Sequence, residues 1–464
     1  VPILVLSGSA PTSQADQAHF QNVGKSGSRD LVLYREGTGF GAMPATVGAM
    51  EKAWSACRER LSSYRPAHLV LPLDVQDAPA PRPSGCGPLN RRGAALTGGE
   101  IADLNRLCLA WAQAGSPLLV LGPRVSQLRA QGAVDRLVSA CGAPVASTIG
   151  AHGLLSDQNP RSLGNFGFGG QPAANAAMTG TAPDHILFIG GGPGQRDGID
   201  WAALARRPGL RISRIDTGPR QNNGPFSPGL DLHVSALETA VDHFCACLSN
   251  RKPARQTTIP EHSQPLRQGN GTLMERYLRT VQDNLPDDTI LFVDAGAHRI
   301  AAARVWRSRG NGCVQSSPEQ APMGWAIAAA IGGRLARSGG CFVCLTGDGS
   351  MRMMGQEIST AARYRVPLIL LVANNAGYGS VAARAPDIRH AEQFGELGRV
   401  DWVRYARIMG GAGMRVTGPG QIAGAIRSGL AFDGPFVIDL HLPSGACAQA
   451  AETGATQDMA GHDA

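Results

Sequence analysis

Two short loops hold the residues of this sequence that are best suited to binding chemistry, and each loop directly follows an apolar run. Residues 347–350 read Gly-Asp-Gly-Ser after the run 342–345, and residues 374–377 read Asn-Asn-Ala-Gly after the run 368–372. A segment with apolar residues at helical spacing joins them, which predicts the order strand, loop, helix, strand, loop. Because open α/β sheets bind ligands at the carboxyl ends of their strands, we expect both loops to form one ligand site.

The oxygen atoms of these loops suit a hard divalent cation. Asp348 offers a carboxylate oxygen, Asn375 offers an amide oxygen and Gly377 offers a main-chain carbonyl oxygen. Mg²⁺ takes oxygen ligands in octahedral geometry and commonly shares its coordination shell with phosphate and water. The residue types therefore predict a Mg²⁺ site with Asp348, Asn375 and Gly377 as metal ligands.

The first loop also has features that favour a phosphate group. Gly347 and Gly349 carry no side chain, so their backbone allows a ligand to approach closely. We expect Ser350 to begin a helix, whose amide end attracts phosphate. The residues alone leave one alternative open, which is a pair of ordinary turns in a doubly wound sheet.

Length and composition predict a protein of about three α/β domains. The chain has 464 residues, of which 43% are hydrophobic, with 60 glycines and 31 prolines. Its apolar runs are shorter than a membrane span and its start does not read as a signal peptide, so we predict a cytoplasmic protein with no membrane partner. The net charge of +7 comes from dispersed arginines rather than from a basic block, so no nucleic-acid partner is expected.

The ten cysteines are scattered, and no Cys/His group has the sequence spacing of a zinc site. Cys341 and Cys344 form the pattern CxxC within a predicted buried strand. Residues three apart on a strand point to opposite faces, so we expect both to pack in the core rather than to form a metal or redox pair.

The two loops closely resemble the signature of thiamine diphosphate enzymes, in which GDG is followed by about two dozen residues and NN. Here 24 residues, 350–373, separate Gly349 from Asn374. Further phrases along nearly the whole chain resemble the acetolactate synthase large-subunit family. The resemblance implies an α/β fold with three doubly wound parallel-sheet domains, the first of them incomplete at its amino terminus.

The resemblance also predicts the domain boundaries. They are a thiamine pyrimidine-binding half-domain over 1–80, a linker over 81–98, a central Rossmann-like domain over 99–249, a second linker over 250–271, a thiamine diphosphate- and Mg-binding domain over 272–445, and a flexible tail over 446–464.

The first segment resembles the second half of the family's pyrimidine-binding domain. An apolar strand is predicted at Val1–Leu6, followed by a turn from Ser7. Phe20 and Gln21 match a pair that lines the substrate approach in the family, although a surface turn is the alternative. The family's activating glutamate lies before the point that corresponds to Val1. We therefore hypothesise that the chain is an amino-terminal truncation, which would be inactive by itself.

In the predicted central domain, residues 164–175 echo a glycine-rich phrase of the family. Some members bind FAD in this domain and others bind nothing. The run Gly190–Gly192 could approach a diphosphate, but a structural turn is an equal alternative. FAD is therefore possible but not favoured.

In the third domain the resemblance implies roles for several single residues. His298 matches the histidine of a DxGxH phrase that contacts the diphosphate, and Met323 matches an apolar residue that props the cofactor into a bent shape. Tyr378, after the second loop, is placed with the cofactor-binding residues. Arg384 stands near a position where acetolactate synthases carry tryptophan; it binds a substrate carboxylate or is simply solvated, and both readings stay open.

Together these resemblances imply a thiamine diphosphate- and Mg²⁺-dependent enzyme of the transferase or lyase class. The expected reaction is decarboxylation of a 2-oxo acid with carboligation, as in acetolactate synthase. One alternative is simple decarboxylation or carbon–carbon lysis. A second is a non-catalytic homologue that binds the cofactor. The family builds its sites between two subunits, so a homodimer or tetramer is expected.

Overall fold

The computed structural model describes most of the chain. The described residues are 2–14, 28–62, 65–79, 95–128, 130–167, 169–192, 194, 199–217, 229–249, 271–310, 312–317, 320–382 and 388–443. They form two compact units, Val1–Gly93 and Ala94–Ala464. The predicted substrate-lining residues Phe20, Gln21 and Arg384 lie outside the described residues, and so does the predicted tail 446–464.

The first unit contains a three-stranded parallel sheet. Its elements are β1 (Leu4–Ser9), α1 (Ser28–Thr38), β2 (Gly41–Ala42), α2 (Val47–Ser62), β3 (Ala67–Pro72) and α3 (Leu73–Gln76). The strand order is β1-β3-β2, so β3 lies in the centre and is largely buried.

The first strand lies three residues later in the chain than its sequence predicted and has the same length. Strand was expected at Val1–Leu6 with a turn from Ser7, but the structure has strand over Leu4–Ser9. Residues 7–9 pair in register with residues 70–72 of β3. The turn prediction was wrong because pairing with a buried central strand satisfies the backbone of polar residues as well as that of apolar ones.

The second unit begins with a six-stranded parallel sheet. Its elements are α4 (Gly98–Ala112), β4 (Pro117–Leu121), α5 (Ala133–Cys141), β5 (Val145–Ser147), β6 (Ser162–Asn165), α6 (Pro172–Thr179), β7 (His185–Ile189), α7 (Trp201–Ala205), β8 (Arg211–Asp216), β9 (Leu230–His233) and α8 (Leu237–Ser249). The strand order β6-β5-β4-β7-β8-β9 reverses direction between β4 and β7, as in doubly wound folds.

A second six-stranded parallel sheet follows in the same unit. Its elements are α9 (Leu273–Asp283), β10 (Ile290–Val293), α10 (Ala297–Val305), β11 (Val314–Ser316), α11 (Trp325–Ala336), β12 (Phe342–Gly347), α12 (Asp348–Met354), α13 (Glu357–Arg363), β13 (Leu368–Asn374), α14 (Gly379–Ala382), α15 (Ile388–Gly395), α16 (Trp402–Ile408), β14 (Ala412–Val416), α17 (Ile422–Ala431) and β15 (Pro435–His441). The strand order is β11-β10-β12-β13-β15-β14. The expected three parallel-sheet α/β domains are confirmed.

The second of these six-stranded sheets has a separate apolar core on each face. Leu345 and Leu371 pack on one face, while Cys344 and Leu370 pack on the other. Cys341 is partly buried against the first core, and Cys344 is fully buried in the second. The prediction that this CxxC pair points to opposite faces is therefore confirmed.

Capping boxes lie at the amino ends of α4 and α9, the helices that precede the first strands of the two six-stranded sheets. The Thr97 hydroxyl accepts from the amide of Glu100 at the start of α4, and the Glu100 carboxylate accepts from the amide of Thr97. Thr272 and Glu275 form the same reciprocal pair at α9. Such pairs satisfy amides that have no partner within the helix. Among the helices of the described ranges, none combines the length and the apolar character needed to cross a bilayer.

Buried polar contacts join the two layers of the second unit, each of which is built around one of the six-stranded sheets. The Asp157 carboxylate accepts from the amide of Ser308 at 2.6 Å, and the Asp157 amide donates to the Ser308 carbonyl at 2.9 Å. The Ser308 hydroxyl donates to the carbonyl of Leu155 at 2.6 Å. Nearby, His152 Nε2 lies 3.2 Å from the carbonyl oxygen of Trp306. These bonds fix the two layers against each other.

Candidate functional site

The structure brings the two predicted loops together at one edge of the sheet. β12 and β13 are adjacent and parallel, with Gly347 paired to Ala373, so both loops start at the same level. The Asp348 carboxylate then accepts a hydrogen bond from the amide of Gly377 at 3.0 Å. The two loops are therefore joined by a direct hydrogen bond.

Three oxygen atoms converge where these loops meet. The side-chain oxygen of Asn375 lies 3.2 Å from Asp348 Oδ1 and 2.9 Å from the carbonyl oxygen of Gly377. Oxygen atoms at these distances repel unless a cation lies among them, or unless the amide is rotated so that its nitrogen donates to both. Adjacent oxygen ligands around a small octahedral cation lie about 3.0 Å apart, since each lies about 2.1 Å from the metal. The donor set therefore fits a small divalent cation.

The Asp348 carboxyl sits in an environment that disfavours its charge. The residue is only 4% exposed, and burial raises its pKa to about 6. The amides of Gly349 and Gly377 each donate to it at 3.0 Å and oppose that increase. A carboxylate that is desolvated in this way is stabilised by a bound cation.

The residue between the oxygen donors Asn375 and Gly377 is Ala376, and its backbone conformation is unfavourable. Ala376 has φ of 60°, in the left-handed region that residues with a side chain rarely adopt. Its carbonyl accepts from the amide of Leu397 at 2.8 Å, and the amide of Tyr378 donates to the carbonyl of Gly395 at 2.6 Å. The last residue of α15 and the segment after it thus hold the loop in the shape that presents its oxygens.

Ser350 does not begin the helix, contrary to its prediction. β12 ends at Gly347 and α12 begins at Asp348, with Gly347 in the N-cap position. Ser350 lies buried in the first turn. Strand and helix follow without an intervening loop residue, which is why the acidic side chain is placed so near the end of β13.

His298 lies beside the first loop as a buried, neutral side chain. It follows β10 in the first turn of α10, and a Cβ atom at Gly347 would lie 3.2 Å from its ring. Burial lowers the pKa of His298 to about 4, although the Asp294 carboxylate acts to raise it. Its Nε2 atom has no hydrogen-bond partner among the described residues. A buried ring nitrogen of this kind is available to a polar ligand.

Met323 and Tyr378 lie against the glycine of the first loop. A Cβ atom at Gly349 would lie 2.6 Å from the Tyr378 ring and 3.1 Å from the Met323 methyl group. Both side chains are only partly buried. The structure therefore gathers the predicted cofactor-binding residues of the third domain around one pair of loops.

Sequence reasoning gave no role to Asp294, which connects three parts of the site. Its buried carboxylate accepts from the amide of Gly324 at 2.9 Å and from the hydroxyl of Thr346 at 2.9 Å. It thereby ties the turn that carries Met323 to the end of β12. An acid directly after an apolar strand was the signal that could have indicated this residue.

The first asparagine of the NN pair has a structural role. The Asn374 amide nitrogen donates to Asp439 Oδ1 at 2.8 Å, and its carbonyl accepts from Arg399 at 2.8 Å. Its side chain is fully buried. Of the pair, only Asn375 faces the oxygen cluster.

The central sheet uses its glycine turn for packing. A Cβ atom at Gly122 would lie 2.5 Å from the Gly190 carbonyl oxygen, so the two backbones touch there. The Asp216 carboxylate, at the end of β8, binds the Arg124 guanidinium through two bonds of 2.6 and 2.7 Å. This geometry favours the structural alternative for the turn at Gly190.

Comparison with protein families gives two matches in the second unit. Residues 294–440 match the C-terminal TPP-binding domain of thiamine pyrophosphate enzymes, and residues 104–236 match their central domain. The fold and the paired loops define a protein of the thiamine diphosphate class. The chain belongs to the thiamine pyrophosphate enzymes and, within them, is similar to acetolactate synthase large subunits.

Individual relatives of low sequence identity include acetolactate synthases and a pyruvate decarboxylase. IlvB2 of Mycobacterium tuberculosis, assigned as an acetolactate synthase large subunit, is 26% identical over 95% of this chain and 82% of its own length. Acetolactate synthase of Bacillus subtilis is 25% identical over 70% of this chain, which spans 58% of that relative. Pyruvate decarboxylase of Neurospora crassa is 23% identical, with 82% of this chain and 66% of the relative covered.

A solved structure from Mycobacterium smegmatis, assigned as a thiamin diphosphate-dependent enzyme, shares the fold. The TM-score is 0.75 at 18% sequence identity, and the match covers 96% of this chain and 82% of that one. At this identity the likeness concerns the fold alone.

Proposed function

We propose that the chain binds thiamine diphosphate together with Mg²⁺ and decarboxylates a 2-oxo acid with carboligation, as acetolactate synthase does. The observation that carries the cofactor proposal is the convergence of oxygens from Asp348, Asn375 and Gly377. The buried Nε2 atom of His298, next to Gly347, lies beside the same loops.

Asp348, Asn375 and Gly377 would hold the cation and leave the remaining octahedral positions to other oxygens. Only one of these three ligands is charged, so a bound divalent cation keeps a net positive charge. The described residues contain no group of three or more His, Cys, Asp or Glu side chains placed to bind a metal. The site therefore depends on an anionic ligand such as a diphosphate to complete it.

The other residues of the site would position the cofactor. Neutral His298 can donate from Nε2 to a phosphate oxygen, and Met323 and Tyr378 offer partly buried surface over Gly349. When bound, thiamine diphosphate supplies the carbon nucleophile and the electron sink that decarboxylation of a 2-oxo acid requires. The chain contributes binding, orientation and exclusion of water.

Calorimetric titration with thiamine diphosphate tests the cofactor proposal. We expect binding with Mg²⁺ and none in excess chelator. Asn375→Ala should weaken binding at least about tenfold, because one ligand oxygen is lost. Asp283→Asn is the matched control, since Asp283 is exposed and precedes the amino end of β10 at the opposite edge of the sheet. Binding that is equally strong in Asn375→Ala would contradict the proposal.

Product analysis with pyruvate tests the reaction, using the protein as its gene encodes it. Acetolactate supports carboligation, whereas free acetaldehyde supports the alternative of a simple decarboxylase. The similarity to a pyruvate decarboxylase keeps this alternative in the test. Bound cofactor without turnover would indicate a non-catalytic homologue.

The same proposal includes a homodimer or tetramer whose sites form between subunits. Its support is the resemblance to acetolactate synthase large subunits. Light scattering coupled to gel filtration gives the mass directly, and a monomer that binds the cofactor with full affinity would contradict this part.

A further inference from the structure

A second cluster of ligating side chains lies on two packed helices of the central domain. His243 and Cys247 lie one turn apart on α8, and Asn105 lies on the neighbouring helix α4. The helices are held together around this point, where Cys108 donates from its thiol to the carbonyl of Phe244 at 3.7 Å. The three side chains are therefore presented by rigid elements rather than by loops.

Three potential ligand atoms of this cluster face one another. His243 Nε2 lies 3.0 Å from Asn105 Oδ1, and the Cys247 thiol donates to the same oxygen at 3.1 Å. Cys247 Sγ lies 3.7 Å from His243 Nε2. His243 and Cys247 are neither buried nor fully exposed, so solvent ions can reach them.

These separations are close to those of a tetrahedral metal site. With bonds of about 2.3 Å to sulfur and about 2.0 Å to nitrogen or oxygen, tetrahedral ligand atoms lie roughly 3.3 to 3.6 Å apart. Each observed separation is within about 0.5 Å of that range, so small side-chain rotations suffice.

We propose that Asn105, His243 and Cys247 form a binding site for a thiophilic divalent cation such as Zn²⁺, with the fourth position open to water. The cation replaces the thiol proton that now donates to Asn105, and one proton is released to solvent. Thiolate and imidazole together select zinc-like metals over the oxygen-preferring Mg²⁺. This site is independent of the proposed thiamine diphosphate site.

Sequence spacing did not indicate the site, because only two of its ligands are near in the chain. His243 and Cys247 are separated by three residues, while Asn105 is 138 residues before His243. Packing of α4 against α8 is what brings the third ligand into place.

Titration of the purified full chain with Co²⁺ tests the proposal. Co²⁺ bound to a thiolate gives a charge-transfer absorption in the near ultraviolet, whereas Co²⁺ on the oxygens of Asp348 and Asn375 gives none. We expect the band in the unmodified protein, its displacement by Zn²⁺, and its loss in Cys247→Ser. His243→Gln should weaken Co²⁺ binding at least about tenfold.

Cys245→Ser is the matched control on the same helix. Burial raises the pKa of the Cys245 thiol to about 11, and of these two cysteines it is Cys247 whose thiol donates to Asn105. The band should persist in this variant. A band absent from the unmodified protein, or retained in Cys247→Ser, would overturn the proposal. Unchanged thermal unfolding of the variants excludes loss of fold as the cause.

Discussion

At the scale of single residues, the chemistry of the site depends on groups kept in unfavourable states. Asp348 is a carboxylic acid whose pKa burial raises to about 6, and His298 is an imidazole whose pKa burial lowers to about 4. Both states are costly without a ligand, so both residues can gain free energy when one binds.

Replacing Asp348 by asparagine should affect binding and stability in opposite directions. Asp348→Asn keeps the shape of the side chain but removes a desolvated charge, so the ligand-free protein should be at least as stable at neutral pH. Affinity for thiamine diphosphate with Mg²⁺ should fall at least about tenfold. Calorimetric titration and thermal unfolding measure the two quantities. If the carboxylate had a purely structural role, Asp348→Asn would instead lower the unfolding temperature.

His185 should give the protein an acid-sensitive stability. Burial lowers its pKa from 6.5 to about 4, and its Nε2 atom lies 2.9 Å from the Ser213 hydroxyl. Below pH 6.5 the unfolded chain binds the proton more readily than the folded chain. The free energy of unfolding should therefore fall between about pH 6.5 and pH 4, by roughly 3 kcal/mol from this residue.

His185→Gln is the variant that isolates this contribution, because glutamine can keep the hydrogen bond to Ser213. Denaturant unfolding at a series of pH values should show a flatter profile than the unmodified protein. Identical slopes in the two proteins would show that His185 does not titrate on unfolding.

At the scale of helices and strands, the sequence predicted the central strands of the two six-stranded sheets and missed their edge strands. β12 and β13 were visible because buried parallel strands read as continuous apolar runs. The short strands β6, β9, β11 and β14 were not predicted, and each is the outermost strand of its sheet. An edge strand gains its backbone partners from one neighbour, so its own sequence needs no apolar run.

For the candidate site, the sequence predicted several of the residues that take part, but it did not predict the hydrogen bonds that connect them. Asp348 and Asn375 followed from their positions at strand ends. The role of Asp294 did not, because its contact with Gly324 crosses 30 residues and depends on where the turn before α11 folds back. Phe20 and Gln21 stay predictions.

Gly349→Ala tests how closely the elements approach in the site. The added methyl group would lie 2.6 Å from the Tyr378 ring, so the ring or the loop must shift. We expect cofactor affinity to fall at least about tenfold with only a small change in unfolding temperature, because the ring is partly exposed and can move. Binding is measured by calorimetry.

Gly332→Ala, within α11, is the matched control. A Cβ atom there meets nothing within 4 Å. Since alanine favours helix over glycine, this variant should gain up to about 1 kcal/mol of stability and keep its cofactor affinity. Equal losses of affinity in both variants would exclude a specific effect of the approach to Tyr378.

At the scale of the whole second unit, stability depends on polar contacts between its two six-stranded layers. Asp157→Ala would leave the buried amide of Ser308 without its 2.6 Å partner. The expected cost is about 1–3 kcal/mol, together with a broader calorimetric transition as the layers unfold less cooperatively. The exposed variant Asp283→Asn should change neither, and an unaltered transition in Asp157→Ala would contradict the role of this contact.

One of the three converging oxygens at the candidate cation site, that of Gly377, belongs to the backbone rather than to a side chain. Point substitutions can delete the groups of Asp348 and Asn375, but every amino acid at position 377 keeps a carbonyl. A saturation scan would therefore record two of the three ligands and pass over the third. Only single-residue insertions or deletions around Ala376 would reveal it, because its position is encoded in loop length.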